Sequence, residues 1–274
     1  MSLTGDDQIA DEAVREWLGD GAKRTPLIAM NSSVWTVSSG AERYVLKMAD
    51  PSELAGLRVS VWLDERGLPT GPPVRMGVRG ERLVALLRFV DGRSLDTSRG
   101  DVDLLGETLG RAHALLVGAP VPNGLDRWPW AWIDPTVIDE PVLRRVASEA
   151  IETAERLAPT VTHGILHGDP APEAFLAGEK GIGLIDWGAA CHGPLVYDAA
   201  SAWLHTGEGV LAAYARTAPI GWDEIAVAAR FLAFRWAVQA CYFSNRLHIG
   251  DLTGLADDSA NEKGLADARR ALLG

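Results

Sequence analysis

Two acidic residues that each follow a short apolar run are the first candidates for chemistry in this sequence. Asp169 ends a His-Gly-Asp triplet that begins at His167, and Asp186 directly follows Ile185. The stretch between them suits a tight hairpin that returns the chain beside itself. One carboxylate could then orient a substrate hydroxyl and take its proton, while the other holds Mg²⁺ against nucleotide phosphates. The alternative is that both are turn residues, because Asp is common beside Pro and Gly in turns.

The elements upstream of these aspartates predict a small unit that combines helix and sheet over residues 1–90. Helical spacing covers 11–18, and a second helix is predicted to open at Pro51 and to stop at Gly67. The predicted strands are 33–37, 43–48, 74–78 and 83–90. A Ser-Ser-Gly turn joins the first two strands into a hairpin, and Lys47 lies near the end of the second.

The sequence changes character after Asp91, and the remainder, 91–274, predicts a larger, mainly helical unit. An amphipathic pattern predicts a helix over 101–117, and a loop rich in Pro and Trp follows at 119–135. Two short strands are predicted beside the aspartates. Further helices are predicted at 141–157 and from Tyr197 onward, including one long run over 224–247. The order of elements therefore predicts an α+β protein with a small sheet-containing lobe and a larger helical lobe.

Composition narrows the class of protein. The net charge of −11 argues against a nucleic-acid partner, because phosphate backbones are bound by basic surfaces. It is compatible with a cationic substrate, although an acidic excess also simply keeps a protein soluble. The two cysteines, Cys191 and Cys241, lack metal-ligand spacing, and no apolar stretch reaches the ~20 residues that span a bilayer. The acidic N-terminus is no signal peptide, so we expect a soluble, cytoplasmic protein with no membrane partner.

Three motifs resemble those of the aminoglycoside phosphotransferase and choline-kinase-like superfamily, a branch of the protein-kinase-like fold. They are the His-Gly-Asp triplet, Leu-Ile-Asp-Trp-Gly at 184–188 and Pro-Leu-Val-Tyr-Asp at 194–198. The resemblance covers roughly residues 25–245. It implies a two-lobed kinase fold with a small antiparallel-sheet N-terminal lobe, and transfer of a phosphoryl group from ATP with Mg²⁺. It does not distinguish ATP from GTP.

The resemblance also implies roles for individual residues. Asp169 would be the catalytic-loop aspartate, Asp186 the metal ligand and Asp198 a structural acid behind the catalytic loop. Lys47 would bind the α- and β-phosphates, and Glu53, near the start of the next helix, would pair with it. On sequence grounds alone Lys47 could be solvated, and Glu53 could only complement the helix dipole.

Two further segments match nucleotide-binding positions of the same superfamily. Residues 30–35 lie where the phosphate-covering turn belongs, so Ser32 and Ser33 are candidates for contact with phosphate. Phe89 and Val90 match the hinge between the lobes, whose backbone would bind the adenine edge.

One position departs from the pattern. The superfamily has an asparagine five residues after the catalytic aspartate, as a second magnesium ligand, whereas this sequence has Ala174. Either Glu173 replaces that ligand, or the site binds one metal ion or none. The substitution supports a rival hypothesis, a nucleotide-binding pseudokinase with weak or no turnover. Losing one preorganised contact typically costs about 10²–10³ in rate, which would leave a slow enzyme.

The substrate is the least defined part of the prediction. The expected partner is a small molecule, such as an aminoglycoside-like antibiotic or a small metabolite. Trp128, Trp130 and Trp132 could hold a sugar-like or cationic ligand, or could be packing residues. Arg235 and other polar residues recur on one face of the long helix and could face the cleft or pair with acids, whereas His205 is expected to be structural or solvated.

Overall fold

The computed structural model describes residues 5–27 and 32–274. The helices are α1 (Gly5–Leu18), α2 (Leu54–Asp64), α3 (Arg99–Leu116), α4 (Pro141–Leu157), α5 (Leu195–Thr206), α6 (Val210–Ala215), α7 (Trp222–Ile225), α8 (Ala228–Ile249) and α9 (Ser259–Leu273). The strands are β1 (Lys23–Leu27), β2 (Ser33–Ser39), β3 (Glu42–Ala49), β4 (Pro73–Arg79), β5 (Arg82–Arg88), β6 (Arg93–Ser94), β7 (Asp126–Arg127), β8 (His163–Leu166), β9 (Phe175–Gly178), β10 (Gly181–Leu184) and β11 (Cys191–Pro194).

Strands β1 to β5 form one antiparallel sheet in the order β1-β2-β3-β5-β4. The predicted hairpin is confirmed: β2 and β3 pair from Ser33↔Met48 to Ser39↔Glu42, and Gly40 makes the turn with a positive φ. One face of the sheet packs on α1 through buried apolar side chains. These are Ala10, Ala13, Val14, Trp35, Val37, Leu46, Met48, Val84 and Leu86. Lys47, which alternates with Leu46 and Met48, therefore points to the opposite face.

The helical part contains one extensive core and two small three-stranded sheets, β10-β9-β6 and β7-β11-β8. Helix α8 runs through this part and packs against α4, α5 and α9. Phe231 and Phe234 on α8 are fully buried, so the aromatic stripe of this helix belongs to the core. Arg235, the charged residue of this helix that concerns the site, follows Phe231 by four residues and therefore lies on the same face of the helix.

The predicted α+β class and kinase-like architecture are confirmed, but the single helical run over 224–247 is wrong. The chain forms α7, breaks at Ala226 and Val227, and restarts as α8. The carboxylate of Glu224 accepts hydrogen bonds from the backbone and hydroxyl of Thr162, which ties α7 to the strand region instead of to α8. The division at residue 90 stays a prediction. Within the described residues, no helix is long and apolar enough to cross a membrane.

Candidate active site

The loops that carry the two aspartates lie side by side. Strand β8 ends at Leu166 and leads into the loop of Asp169, and the β9–β10 hairpin then returns the chain to Asp186. The amide of Ile185 donates to the carbonyl of Ala174 (2.8 Å), which joins the two loops directly. The predicted hairpin therefore brings both carboxylates to one cleft, where their charges influence each other.

The backbone of the Asp169 loop is held by Asp198, which is completely buried. Its carboxylate accepts the amides of His167 (2.6 Å) and Gly168 (3.0 Å). His113 on α3 lies 3.0 Å from the same carboxylate through Nε2 and 2.7 Å from the Tyr214 hydroxyl through Nδ1. Satisfied hydrogen bonds make such a buried group a fixed anchor. The position of Asp198 agrees with the structural role that the sequence predicts, whereas the part played by His113 was missed.

Close backbone contact fixes the Asp169 loop against the Asp186 loop. Gly168 has a φ of +91°, and a Cβ at this position would lie 2.2 Å from the carbonyl oxygen of Ala189. The His167 ring contacts the carbonyl of Ile185 through Nε2 at 2.9 Å. Only glycine fits at residue 168, because both the conformation and the space exclude a side chain.

Lys47, Glu53 and Asp186 form a cluster between the sheet and the second loop. Lys47 Nζ lies 2.7 Å from Glu53 Oε2 and 2.8 Å from Asp186 Oδ1. Burial opposes the charge of Lys47, but the Asp186 and Glu53 carboxylates outweigh it and raise the pKa of Lys47 above its usual value. Lys47 in turn lowers the pKa of Asp186. Lys47 therefore keeps at neutral pH the positive charge that a phosphate would require.

Helix α2 is seated directly on the Asp186 loop, which explains how Glu53 reaches Lys47. A Cβ at Gly56 would lie 1.9 Å from the carbonyl oxygen of Trp187, so the helix approaches the loop backbone without an intervening side chain. Asp186 itself has a φ of +64°, and it is the only non-glycine residue with positive φ in the described ranges. Such strained conformations persist where the surroundings enforce them, and they are common at functional sites.

Asp169 belongs to a second charged cluster, formed with helices α5 and α8. Arg235 Nη2 donates to Asp169 Oδ1 at 3.0 Å, and His205 Nε2 lies 3.6 Å from the same oxygen. Burial would raise the pKa of Asp169, but Arg235 and His205 outweigh it and hold this pKa well below the usual range. The expectation that His205 is only structural or solvated is corrected, because α5 directs its ring towards Asp169. Of the two alternatives for Arg235, pairing with an acid is observed, and the acid is Asp169.

The hinge follows β5 without regular hydrogen bonding. The amide of Arg88 donates to the carbonyl of Pro72, whereas Phe89 and Val90 have no backbone partner among the described residues. These backbone groups are therefore available to a ligand edge. A cavity of about 870 Å³ lies beside the hinge, but its lining, which includes Asp64, Gly181 and the hinge, does not include the charged clusters.

The predicted phosphate-covering turn is only partly described. Residues 28–31 lie outside the described ranges, Ser32 is described, and Ser33 begins β2. The hydroxyl of Ser33 donates to Asp6 Oδ2 at 2.6 Å, so this side chain is already engaged by α1. Contact of either serine with phosphate remains a prediction.

Asp186 offers an oxygen ligand for a metal ion, but its surroundings are sparse. The carbonyl of Ala174 accepts a hydrogen bond from the amide of Ile185, the neighbour of Asp186, but the alanine side chain supplies no oxygen. Glu173 is exposed at the neighbouring position. In residues 5–27 and 32–274, no group of three or more His, Cys, Asp or Glu side chains could hold a metal ion. The residues fit a cation bound by Asp186 and completed by nucleotide oxygens and water.

The tryptophan-rich segment is divided between packing and exposure. Trp128 and Trp130 are buried, and Trp130 packs edge-on against Tyr197 beside the Asp169 loop. Trp132 is 52% exposed and stands between Trp130 and Tyr242 of α8. The packing alternative holds for the first two, and only Trp132 offers a face to a ligand.

The two-lobed architecture, the paired aspartates and the strand lysine with its helix glutamate define a kinase-like phosphotransferase. The sequence model of the phosphotransferase enzyme family matches residues 26–230, and the chain therefore belongs to that family. The resemblance stated from the motifs is confirmed. The chain is therefore a member of a family of phosphotransferase enzymes.

Solved structures with the same fold are distant in sequence. An amicoumacin kinase in complex with AMP-PNP, Ca²⁺ and amicoumacin is 13% identical, with a TM-score of 0.77 over 98% of this chain and 93% of that one. A microcompartment-associated aminopropanol kinase is 18% identical, with a TM-score of 0.74 over 97% of each chain. The choline kinase LicA from Streptococcus pneumoniae is 16% identical, with a TM-score of 0.66 over 96% and 100%. A search of curated proteins finds no significant match. These likenesses show the fold.

Proposed function

We propose that this chain transfers the γ-phosphoryl group of ATP, in the presence of Mg²⁺, to a hydroxyl of an aminoglycoside-like antibiotic or a small metabolite. The observation that carries the proposal is the pairing of each cleft aspartate with its own cation. Asp186 is paired with Lys47 on the sheet side, and Asp169 with Arg235 on the helical side. Residues 1–90 would bind the nucleotide, and 91–274 would supply the catalytic loop and the acceptor site.

In this reaction Asp169 is the catalytic residue. Its carboxylate accepts the hydroxyl proton of the acceptor, the acceptor oxygen forms a bond to the γ-phosphorus, and the bond from that phosphorus to the β,γ-bridging oxygen breaks. The products are a phosphate ester, ADP and a proton that Asp169 returns to water. Positioning and charge stabilisation supply the rate enhancement, because the protein forms no covalent bond in this chemistry.

The nucleotide half of the site uses residues from both lobes. Lys47, fixed by Glu53, binds the α- and β-phosphates, and the backbones of Phe89 and Val90 bind the adenine edge. Ser32 and Ser33 of the predicted phosphate-covering turn contact the phosphates. The free hinge backbone and the ionised lysine support these assignments.

Asp186 would hold Mg²⁺, with Glu173 as the auxiliary candidate beside Ala174. When bound, the ion would neutralise charge on the β- and γ-phosphate oxygens. Because the side chain of Glu173 is exposed, it would have to turn towards Asp186 to serve as a ligand.

The acceptor is a small molecule. Similar folds include kinases named for amicoumacin, aminopropanol and choline, which differ in chemistry but are all small molecules. The net charge of −11 supports an acceptor with a cationic group.

Calorimetric titration with AMP-PNP, with and without Mg²⁺, tests the nucleotide site. We expect binding that depends on Mg²⁺ in the wild type and that is lost in Asp186→Ala. Asp20→Ala removes an equally acidic but 91% exposed side chain and serves as the matched control. A wild type that binds no nucleotide at millimolar concentration would refute the proposal.

A second candidate, a nucleotide-binding protein with weak or no turnover, is favoured by one observation, the alanine at residue 174. Measurement of ADP release across a panel of hydroxylated amines and sugars separates the two. Phosphoryl transfer to any acceptor supports the kinase. Tight nucleotide binding without ADP release above the buffer rate supports the second candidate.

A further inference from the structure

Arg235 donates a hydrogen bond to Asp169 and is itself anchored by a hydrogen bond to a neighbouring helix. Its side chain is only 12% exposed, and its Nε donates to the hydroxyl of Ser201, a buried residue of α5, at 3.2 Å. Its Nη2 donates to Asp169 Oδ1. Two helices therefore fix one guanidinium, and the guanidinium fixes one carboxylate oxygen.

In the described part of the chain, this arrangement leaves one polar atom of Asp169 and one of Arg235 without a partner. Among the described residues, neither Asp169 Oδ2 nor Arg235 Nη1 has a hydrogen-bond partner, and the Asp169 side chain is 54% exposed to the cleft. A guanidinium is planar, so Nη1 lies within a few ångströms of Nη2 and of the carboxylate that Nη2 binds. An acceptor hydroxyl bound to Oδ2 therefore has the remaining N–H groups of Arg235 beside it.

We infer that Arg235 is a positioning residue for Asp169 and a specificity determinant for the acceptor. It orients the carboxylate through Oδ1, and through Nη1 it binds an oxygen atom of the acceptor next to the hydroxyl that is phosphorylated. This inference rests on the proposed kinase function and defines the acceptor of that same site more narrowly.

The chemistry of the guanidinium decides which neighbouring group is accepted. Arginine donates only, so it pairs with the oxygen of a neighbouring hydroxyl or of a carboxylate. An ammonium group at that position would face a like charge, and the opposite charge of Asp169 is already neutralised by Arg235. Amino groups elsewhere in the acceptor are unaffected. The preferred acceptor thus carries oxygen, and not nitrogen, beside its reactive hydroxyl.

Three probes share one carbon skeleton and differ only in this neighbouring group. They are 1,2-propanediol, lactate and 1-amino-2-propanol. ADP release gives kcat and KM at saturating ATP and Mg²⁺, and phosphorus NMR identifies the ester. For the wild type we expect the diol or lactate to exceed the amine by about tenfold or more in kcat/KM. Preference for the diol would indicate a polyol acceptor, and preference for lactate would indicate a hydroxy acid.

The variants Arg235→Gln, Arg235→Lys and Ser201→Ala separate positioning from folding. We expect Arg235→Gln to lose the preference among the probes and to lower kcat, and Arg235→Lys to restore part of both. Ser201→Ala, which keeps the guanidinium but removes its anchor, should show a smaller loss and covers the case in which Arg235→Gln does not fold. Arg230→Gln, on the exposed side of α8, is the matched control.

The outcomes distinguish this inference from the function on which it rests. If the wild type binds no nucleotide, the kinase proposal is overturned, and the inference with it. Nucleotide binding with turnover of the amine at least equal to that of the diol and lactate overturns the inference alone. So does an unchanged preference in Arg235→Gln, or the absence of turnover with all three probes while another acceptor is phosphorylated.

Discussion

The two aspartates of the cleft are held by cations in opposite ways. Asp186 is paired with Lys47, a residue of the sheet that a helix glutamate fixes by charge. Asp169 is paired with Arg235, a residue of a core helix that a neutral serine fixes by a hydrogen bond. The first pairing crosses from the sheet to the helical part, whereas the second lies wholly within the helical part.

The two clusters also differ in the cores that support them. The Lys47 cluster links two separate hydrophobic cores, because the buried neighbours of Lys47 on β3 pack against α1 whereas Trp187, next to Asp186, belongs to the large core, so the binding of phosphates could rearrange its contacts. The Arg235 cluster joins α5, α8 and the loop of Asp169, all of which are packed in one core. The nucleotide side is therefore suited to ligand exchange, and the acceptor side to fixed geometry.

The largest expected effect comes from removing the charge of each aspartate in turn. Asp169→Asn should lower kcat by about 10²–10⁴, because general-base catalysis contributes that much, while Mg²⁺-dependent binding of AMP-PNP is retained. Asp186→Asn should instead weaken that binding. Steady-state ADP release and calorimetry measure the two effects. If Asp169→Asn weakened AMP-PNP binding but kept the wild-type kcat at saturating ATP, the assignment of the two sides would be reversed.

The nucleotide side was predictable because its residues lie in local patterns. The hairpin of β2 and β3 placed Lys47 on the cleft side, and alternation along a strand is a local property. The two aspartates follow short apolar strands, so the loops that carry them could be predicted from the sequence. The pairing of Glu53 with Lys47 followed from the resemblance to the superfamily, and the structure brings the two together.

The acceptor side was not predictable in the same way. Arg235 lies 66 residues from Asp169 in sequence, and His205 is on a different helix again. Their approach depends on how α5 and α8 pack, which no spacing within the chain encodes. The break between α7 and α8 shifts the start of this helix, so even its direction could not be read from its amphipathic pattern.

The next effect concerns the seat of α2 on the Asp186 loop. Gly56→Ala places a Cβ against the carbonyl oxygen of Trp187, so the helix must move away and carry Glu53 from Lys47. We expect about tenfold weaker AMP-PNP binding and a fold destabilised by about 1–3 kcal/mol, typical of overpacking. Calorimetry and chemical denaturation measure these changes.

Gly100→Ala is the control for that substitution. Gly100 lies in helix α3 and is exposed, and a Cβ at this position would have no other atom within 4 Å, so we expect wild-type binding and equal or higher stability. Wild-type nucleotide binding in Gly56→Ala would mean that α2 does not set the position of Glu53, and the proposed mobility of this side would lose its basis.

The smallest expected effect is a shift in the pH dependence of kcat, which tests the cluster of Asp169 and Arg235. In the wild type the pKa of Asp169 lies below its unfolded value of about 3.9, so the ionised carboxylate stabilises the fold above that pH, and this contribution is lost as pH falls through the lowered pKa. In Arg235→Gln only His205 still opposes burial, so the pKa of Asp169 rises. A protonated Asp169 cannot take the acceptor proton, and the acid limb of kcat should therefore move to higher pH by about one to three pH units.

The pH profile of ADP release between pH 3 and 8, on any acceptor that the enzyme phosphorylates, measures this shift, because the acid limb of the wild type lies below this range and that of Arg235→Gln should enter it. Arg230→Gln should keep the wild-type acid limb, because its side chain is exposed on α8 away from the cleft. The stability of Arg235→Gln relative to the wild type should also improve as the pH falls towards the raised pKa, since protonation then removes the charge of a carboxylate that has lost its arginine partner. An acid limb that stays in place in Arg235→Gln would show that Arg235 leaves the ionisation of Asp169 unchanged, and the contrast between the two clusters would then rest on geometry alone.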